Sequence, residues 1–405
     1  MAVFVGVDWA EAHHDVCVKN DLGAILLKRR VPDGIEGVRR FHELVAPLIE
    51  DPSEVLVGIE TDRGLFVGAL VAAGYQVYAV NPFSTSRYRD RRSSSGAKSD
   101  PGDAGVLADL VRTDAHQHRR VAGDTDLAEA VKILARAHQS MIWTRQRQTS
   151  TLRSTLREYY PNALVAFAEH LDSAEALQLL EVAPTPVLGR QLSRSKIQAI
   201  LRRAGRQRRV EERAVEIQAA LRAEALEAPA LIAEAFGSSV KASAGVVVEL
   251  QRQIEVLETA MAEHFEQHPD SKIVQSLPGL GTVLGARVLG EFGDDPERYA
   301  SAKSRKNYSG TSPITRASGT KRVVLARFAR NRRLADATYL WAFSALTKSP
   351  GARALYDRHR AAGDTHHQAL RALANRLVGI LHGCLASQTL YDEHIAWDIT
   401  KSNVA

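Results

Sequence analysis

Val3-Phe4-Val5-Gly6-Val7-Asp8 begins the chain as an apolar, β-rich run that ends on a carboxylate, and Val55-Leu56-Val57-Gly58-Ile59-Glu60 repeats that pattern. An acid at the end of a hydrophobic strand does little for packing. Two such ends side by side offer the oxygen ligands that a hard divalent cation such as Mg²⁺ requires, and clustered carboxylates holding metal act on phosphodiesters.

Outward from these runs, Asp15–Lys19 and Ala24–Arg30 are short, rich in β-forming residues and separated by turn residues. The chain therefore opens with three consecutive antiparallel strands. Asp33-Gly34 then precedes Ile35, Val38, Phe41, Leu44 and Val45 at helical spacing, followed by strand 55–59, a helix over 64–73, and strand 76–80 closed by Asn81-Pro82. Strand-strand-strand-helix-strand-helix-strand is the order of a ribonuclease-H-like α/β sheet, in which the ends of the first and fourth strands are neighbours. Asp8 and Glu60 are thus expected to meet.

Asp100-Pro101-Gly102-Asp103 opens a further helix. Asp at a cap followed by Pro is what any helix start requires, yet the i, i+3 spacing also sets both carboxylates on one side, where they can join Asp8 and Glu60. Asp15 and Asp62 are the nearby substitutes. Between strand and helix, Ser84 to Lys98 shifts to Ser and Arg with Gly96 and little apolar content, and reads as an exposed basic loop.

At 405 residues the chain exceeds the ~250 at which single cores stop growing, so two or three domains are expected. We place them at 1–120, 121–270 and 271–400. In the middle segment Leu127, Val131, Leu134, His138 and Met141 share a helical face, and Leu250, Ile254, Leu257, Met261 and Phe265 follow a heptad seam. That spacing predicts a long helical arm or coiled coil, offering a dimer surface. Ser276-Leu-Pro-Gly-Leu-Gly281 before the amphipathic Thr282–Phe292 predicts helix-hairpin-helix geometry, with backbone amides facing a phosphate, in a mainly α C-terminal domain.

Net charge is +6, with 53 Lys and Arg against 47 acids, so distribution matters more than the total. Residues 301–335 hold ten Lys or Arg and no acid. Ordinary surfaces intersperse signs, so Arg305, Lys306, Arg316, Lys321, Arg322, Arg327, Arg330, Arg332 and Arg333 read as phosphate contacts. Within this island Ser318-Gly319 fits a tight turn, and its hydroxyl among Arg316, Lys321 and Arg322 also suits a nucleophile toward phosphorus. Spacing alone favours the turn.

Cys17 and Cys384 make no disulfide framework or metal spacing, which predicts a reducing cytoplasm. No His cluster has zinc spacing. Asp8 interrupts the first apolar run too early for a signal peptide, and no uncharged apolar stretch approaches the ~18 residues of a membrane span.

These residues resemble a known family. Gly6-Val-Asp8-Trp, Ile59-Glu60-Thr, Leu70-Val-Ala-Ala-Gly74-Tyr-Gln-Val, Val80-Asn-Pro82 and Lys98-Ser-Asp100-Pro-Gly-Asp103-Ala resemble, in order, the DEDD domain of the insertion-sequence-110 transposases, itself similar to RuvC-type Holliday-junction resolvases. Leu277-Pro-Gly-Leu-Gly281, Phe292-Gly, Tyr308-Ser-Gly310, Pro313 and Ser318-Gly319 resemble the C-terminal transposase domain of the same family. The resemblance implies a recombinase that excises and inserts a mobile element, guided by a structured (bridge) RNA. It implies that Asp8, Glu60, Asp100 and Asp103 bind Mg²⁺, that Ser318 takes the DNA strand as a phosphoserine ester, and that the protein works as a dimer or tetramer. Two departures stand out: Asp62-Arg63-Gly64 follows Glu60-Thr61 where the family often has Thr-Gly, and Thr320 follows Ser318-Gly319 where a second Gly is common. Asp62 is therefore an alternative ligand, and Ser312 and Ser309 are alternative nucleophiles.

Three other readings compete. A structure-selective endonuclease of the resolvase type needs only the carboxylates, and a non-catalytic nucleic-acid-binding protein needs only the basic island. An actin-like kinase also starts with a Gly-x-Asp strand, but the first domain has no convincing Gly-rich phosphate loop.

Overall fold

A computed structural model describes residues 2–92, 100–121, 123–168, 170–319, 321–328 and 330–397. The chain divides into two compact units, Met1–Thr125 with Asp295–Ala300, and Asp126–Asp294 with Ser301–Ala405. The helical middle and the C-terminal segment therefore share one unit.

The first unit is built on a mixed sheet. Strands β1 (Val3–Trp9), β2 (His13–Lys19) and β3 (Ile25–Pro32) form an antiparallel meander. β4 (Val55–Ile59) and β5 (Gln76–Ala79) extend it in parallel from β1, and the two-residue β6 (Arg119–Arg120) closes the edge antiparallel to β5, giving the order β3-β2-β1-β4-β5-β6. The sequence reading expected this succession up to β5. It did not anticipate β6, which is too short to carry a period.

Because side chains alternate along a strand, the sheet has two distinct faces. Val3, Val5, Val7, Val57 and Ile59 pack on one face with Phe41 and Val45 of α1 (Ile35–Val45) and Phe66 and Leu70 of α2 (Leu65–Ala72). The other face carries Gly6 and Gly58, and over them lies α4 (Asp100–Asp114), which follows α3 (Pro82–Arg92). A Cβ on Gly6 would stand 1.8 Å from the Ala104 carbonyl oxygen, and one on Gly58 would stand 2.7 Å from that of Leu107. Only glycine lets the helix backbone come this close. Replacing Gly6 with Ala should cost about 3 kcal/mol through overpacking, measurable as a lower denaturant midpoint.

A buried ion pair fixes the slide of α4 along the sheet: Lys19 Nζ of β2 donates to Asp109 Oδ2 at 2.5 Å. α3 departs from the exposed basic loop expected over 84–98. Its residues 82–92 are helical, Thr85 is buried, and Tyr88 packs beside Val106 and Leu110 of α4. The start signal lies in Asn81-Pro82, where Asn81 Oδ1 accepts from the Phe83 amide at 2.9 Å. Residues 93–99 of the expected loop lie outside the described residues.

In the second unit the two longest helices, α5 (Asp126–Tyr159) and α11 (Ala230–Gln267), pair with each other. They run antiparallel: Tyr159 stacks on Phe236 at 5.1 Å between ring centres, and His138 stands 3.7 Å from Glu258. Val240, Ala244, Val247, Ile254, Met261 and Phe265 make the buried stripe of α11 at heptad spacing. The seam is real, and its partner lies in the same chain. Helices α6 (Pro161–Phe167), α7 (Ala174–Val182), α8 (Pro186–Gln191), α9 (Arg194–Arg203) and α10 (Val210–Arg222) form a globular cap around Tyr160, Phe167, Leu180, Ile197 and Ile217. By length and composition alone α11 is apolar enough to cross a membrane, which the sequence reading did not allow for.

The remainder comprises α12 (Ser271–Ser276), α13 (Thr282–Phe292), α14 (Ala302–Ser309), a hairpin of β7 (Ile314–Ser318) and β8 (Lys321–Leu325), then α15 (Arg332–Ala345), α16 (Pro350–Ala361), α17 (His366–Ser387) and α18 (Glu393–Trp397). α12 and α13 flank the short turn over residues 277–281, where the sequence predicts helix-hairpin-helix geometry. This turn packs on α15: the buried Trp341 indole donates to the Pro278 carbonyl at 2.9 Å, and Gly279 at φ 84° lies against the Ala345 backbone.

Candidate nucleic-acid-processing site

The parallel register of β1 and β4 decides the geometry of the first site. Val7 faces Ile59 as the last pair of this register, so Asp8 and Glu60 are the residues that directly follow it, Glu60 just past the end of β4. By alternation they share a sheet face with Gly6 and Gly58, and this is the face that α4 covers. On the other side Asp8 faces Asp15 of β2. Two acids thus face each other across β1 and β2. Directly opposed like charges oppose folding.

The neighbours treat these acids differently. Asp15 is buried and gripped by Arg30, whose Nε and Nη2 donate to its two oxygens at 3.1 and 2.7 Å, so this substitute is committed to holding the meander. Glu60 is exposed just past the end of β4, and Asp8 is half-buried near the end of β1. Asp62 lies in the loop leading to α2, which packs on the opposite face.

Asp103 comes from α4. It directly precedes Ala104, the residue whose carbonyl touches Gly6, so the first turns of α4 lie toward the Asp8 end of β1 while Asp109 reaches back to Lys19. Asp103 is 7% exposed, and Arg89 of α3 donates to its Oδ1 from Nε at 2.8 Å and from Nη2 at 2.6 Å. Sequence reasoning missed Arg89 because it lies in the stretch read as a loop. Asp100 begins α4, and its side chain lies outside the described residues.

Asp8, Glu60, Asp100 and Asp103 all offer oxygen, the donor type of a hard divalent cation, and Asp8 and Glu60 directly follow the last pair of the β1–β4 register, so the residue types fit Mg²⁺ chemically. Among the described residues no three Asp, Glu, His or Cys side chains form a group that could hold a metal. Arg89 supplies the positive charge at Asp103.

The acid-free island sorts into buried and exposed parts. Arg305 is buried with its guanidinium 5.0 Å from the Phe292 ring centre, and it therefore belongs to the core rather than to the phosphate contacts expected from its charge. Arg333 is likewise committed. Its Nη1 donates to the Arg136 carbonyl at 3.0 Å and its Nη2 to Ser140 Oγ at 2.8 Å, and it stacks on Trp143 at 5.0 Å, fastening α15 to α5. Lys306 is half-buried, and burial together with the Arg376 charge holds its ammonium below the usual range. Arg327 donates to Asn307 Oδ1 at 3.3 Å. Arg316, Arg330 and Arg332 are exposed, while the side chains of Lys321 and Arg322 lie outside the described residues.

The three serines also separate. Ser318 ends β7 opposite Lys321, at the tip of a hairpin that turns through Gly319 at φ 55°. The turn reading from spacing is correct, and it leaves Ser318 exposed, with no side-chain hydrogen bond among the described residues. Ser309 is fully buried, donating to the Lys306 carbonyl at 3.0 Å and lying 3.0 Å from Thr311 Oγ1. Ser312 is half-buried and accepts weakly from Asn375 Nδ2 at 3.5 Å. Of the three, Ser318 is the one open to a large substrate.

Known proteins resemble this chain along nearly its whole length. A family model described as a transposase, of the DEDD type named for IS110, matches residues 5–161, and one described as the transposase IS116/IS110/IS902 family matches residues 271–357. The mini-circle IS117 protein of Streptomyces coelicolor, which carries a transposase name, is 43% identical over 408 residues, spanning 98% of this chain and 97% of the relative. The 42 kDa protein of insertion element IS900 from Mycobacterium paratuberculosis is 29% identical over 96% of this chain and 97% of its own length. The 43.6 kDa protein of insertion element IS110 from Streptomyces coelicolor is 28% identical over 98% and 96%.

Proposed function

Because this chain belongs to the IS116/IS110/IS902 family of transposases and acts in DNA transposition, we propose that it excises and inserts its element by Mg²⁺-dependent, serine-mediated strand exchange. The first unit is read as ribonuclease-H-like and RuvC-like. The observation that supports this reading is the parallel β1–β4 register, whose last pair, Val7 and Ile59, directly precedes Asp8 and Glu60.

Asp8, Glu60 and Asp103, with Asp100 at the head of α4, would hold the metal, which when bound draws charge from the non-bridging phosphate oxygens. Ser318 supplies the nucleophile. As its Oγ–P bond forms, the P–O bond to one sugar breaks and the departing oxygen takes up a proton. A hydroxyl of the incoming strand later attacks the same phosphorus, releasing Ser318. One phosphodiester is exchanged for another, so no external energy is needed. Arg316 shares the β7 face with Ser318 by alternation and can neutralise the phosphate.

The family resemblance supports a structured guide RNA and a dimer or tetramer as the working form. Exposed Leu231, Ile232, Val246 and Val256 fall on one side of α11 and give protomers an apolar face to share.

A metal test needs no DNA. Arg89→Ala leaves the buried Asp103 carboxylate without its cation, so the melting temperature in chelator should fall by several degrees, with about 3 kcal/mol lost. Added Mg²⁺ should restore more stability to this variant than to the wild type. Equal Mg²⁺ responses would remove Asp103 from the metal set.

A further inference from the structure

Two open hollows lie along α15 and α17, joined by a narrow crevice at Gly310, Arg330, Tyr339 and Arg371. The first, about 530 Å³, is bordered by Trp143, Arg330, Arg332, Tyr339, His367 and Arg371. The second, about 490 Å³, runs beneath the hairpin past Arg327, His359, Gln368, Arg371 and Asn375. Arg371 lines all three. Together they make one trough wholly within the second unit.

The charges in this trough are unbalanced in a specific way. Asp336 accepts from Gln139 at 2.8 Å and from Arg287 at 3.4 Å, and Asp364 is bound to His359 Nδ1 at 2.7 Å. Both trough acids are therefore already engaged. Among the described residues Arg330, Arg332 and Arg371 make no side-chain ion pair or hydrogen bond. Gathering three guanidinium groups around one cleft costs stability through repulsion, and a polyanion removes that cost. Arg333, one residue from Arg332, shows the contrast, since its Nη1 and Nη2 donate to α5.

The aromatic content says which polyanion. Tyr339 OH lies 3.2 Å from His367 Nδ1 with ring centres 5.6 Å apart, and this pair stands at the same hollow as Arg330 and Arg371. A duplex offers phosphates to a protein surface and keeps its bases stacked inside. Hollows lined by rings and guanidinium planes suit unstacked bases instead.

We propose that this trough binds a single-stranded nucleic-acid segment, with Arg330, Arg332 and Arg371 on its phosphates and the Tyr339–His367 pair as a platform for a base. The proposal rests on the transposase reading and adds to it the strandedness and place of one contact.

Fluorescence anisotropy on the full chain, titrated with a labelled oligothymidylate, an oligouridylate of equal length and a blunt duplex, tests it. Arg371→Ala should weaken single-strand binding roughly tenfold and reduce the slope of log affinity against log salt by about 0.7, while Arg371→Lys keeps the slope. Tyr339→Leu should weaken single-strand binding by roughly tenfold without altering the slope. Duplex binding should stay within about twofold of wild type for both, and melting curves confirm folding. Tighter binding of the uridylate assigns the trough to RNA, and tighter binding of the thymidylate assigns it to a DNA strand. Equal losses on duplex and single strand, or no loss on single strands, overturn the trough alone. A wild-type chain that binds none of the three probes overturns the transposase reading with it.

Discussion

An Asp8→Asn chain is expected to fold, to bind DNA and to lose strand transfer by about 10³-fold or more, the worth of several kcal/mol of charge stabilisation. Asp8 faces Asp15 across the β1–β2 register, and the isosteric Asn keeps the shape of the side chain while removing one of two facing like charges. Loss of strand transfer in a variant that still melts cooperatively assigns Asp8 to the chemistry rather than to the fold. Asp15→Asn supplies the control: it breaks the Arg30 grip, so it should lower stability and spare strand transfer. Excision from a donor plasmid, read beside thermal melting of the same preparations, separates the two outcomes.

Ser318→Ala should be as severe for strand exchange and nearly silent for stability, within about 0.5 kcal/mol, because the hydroxyl sits exposed at a hairpin tip. The alternative serines give opposite signatures. Ser309→Ala removes a buried hydroxyl bonded to the Lys306 carbonyl and next to Thr311, so it should cost about 1 to 2 kcal/mol and leave strand exchange intact. Ser312→Ala loses only one long contact to Asn375 and should change neither. Strand exchange that survives Ser318→Ala and fails in Ser312→Ala would move the nucleophile to the cavity under the hairpin.

Much of the sheet was legible because period-two runs bounded by turn residues leave few alternatives. Val3–Val7 and Val55–Ile59 fixed the two central strands, and the acid that ends each run marked the edge where they meet. The part played by Gly6 and Gly58 became clear only with α4 in place, since a glycine in a strand does not announce which backbone approaches it. α3 was missed for a physical reason. Helix 82–92 has almost no apolar stripe and is held by Tyr88, by the buried Thr85 and by the Arg89–Asp103 pair, none of which leaves a periodic trace.

Charge was the least informative signal of burial. Arg305 and Arg333 belong to the same acid-free run as Arg316 and Arg332, yet one packs on Phe292 and the other fastens α15 to α5. Local composition cannot distinguish them, because their partners come from elsewhere in the chain. The trough shows the converse. Its residues come from α5, α15 and the approach to it, and α17, so no window of sequence displays Trp143, Arg330, Tyr339 and Arg371 together.

The most direct measurement is the capture of a covalent intermediate. The protein is mixed with Mg²⁺, the structured RNA proposed as its guide and an element-end DNA nicked so that the cleaved fragment diffuses away, then denatured, digested and sequenced by mass spectrometry. The expected result is a nucleotide attached to the peptide containing Ser318, formed by the wild type, strongly reduced in Asp8→Asn and absent in Ser318→Ala. DNA cleaved to completion without any attached peptide, or attachment at a different serine, would contradict serine-mediated exchange at this site.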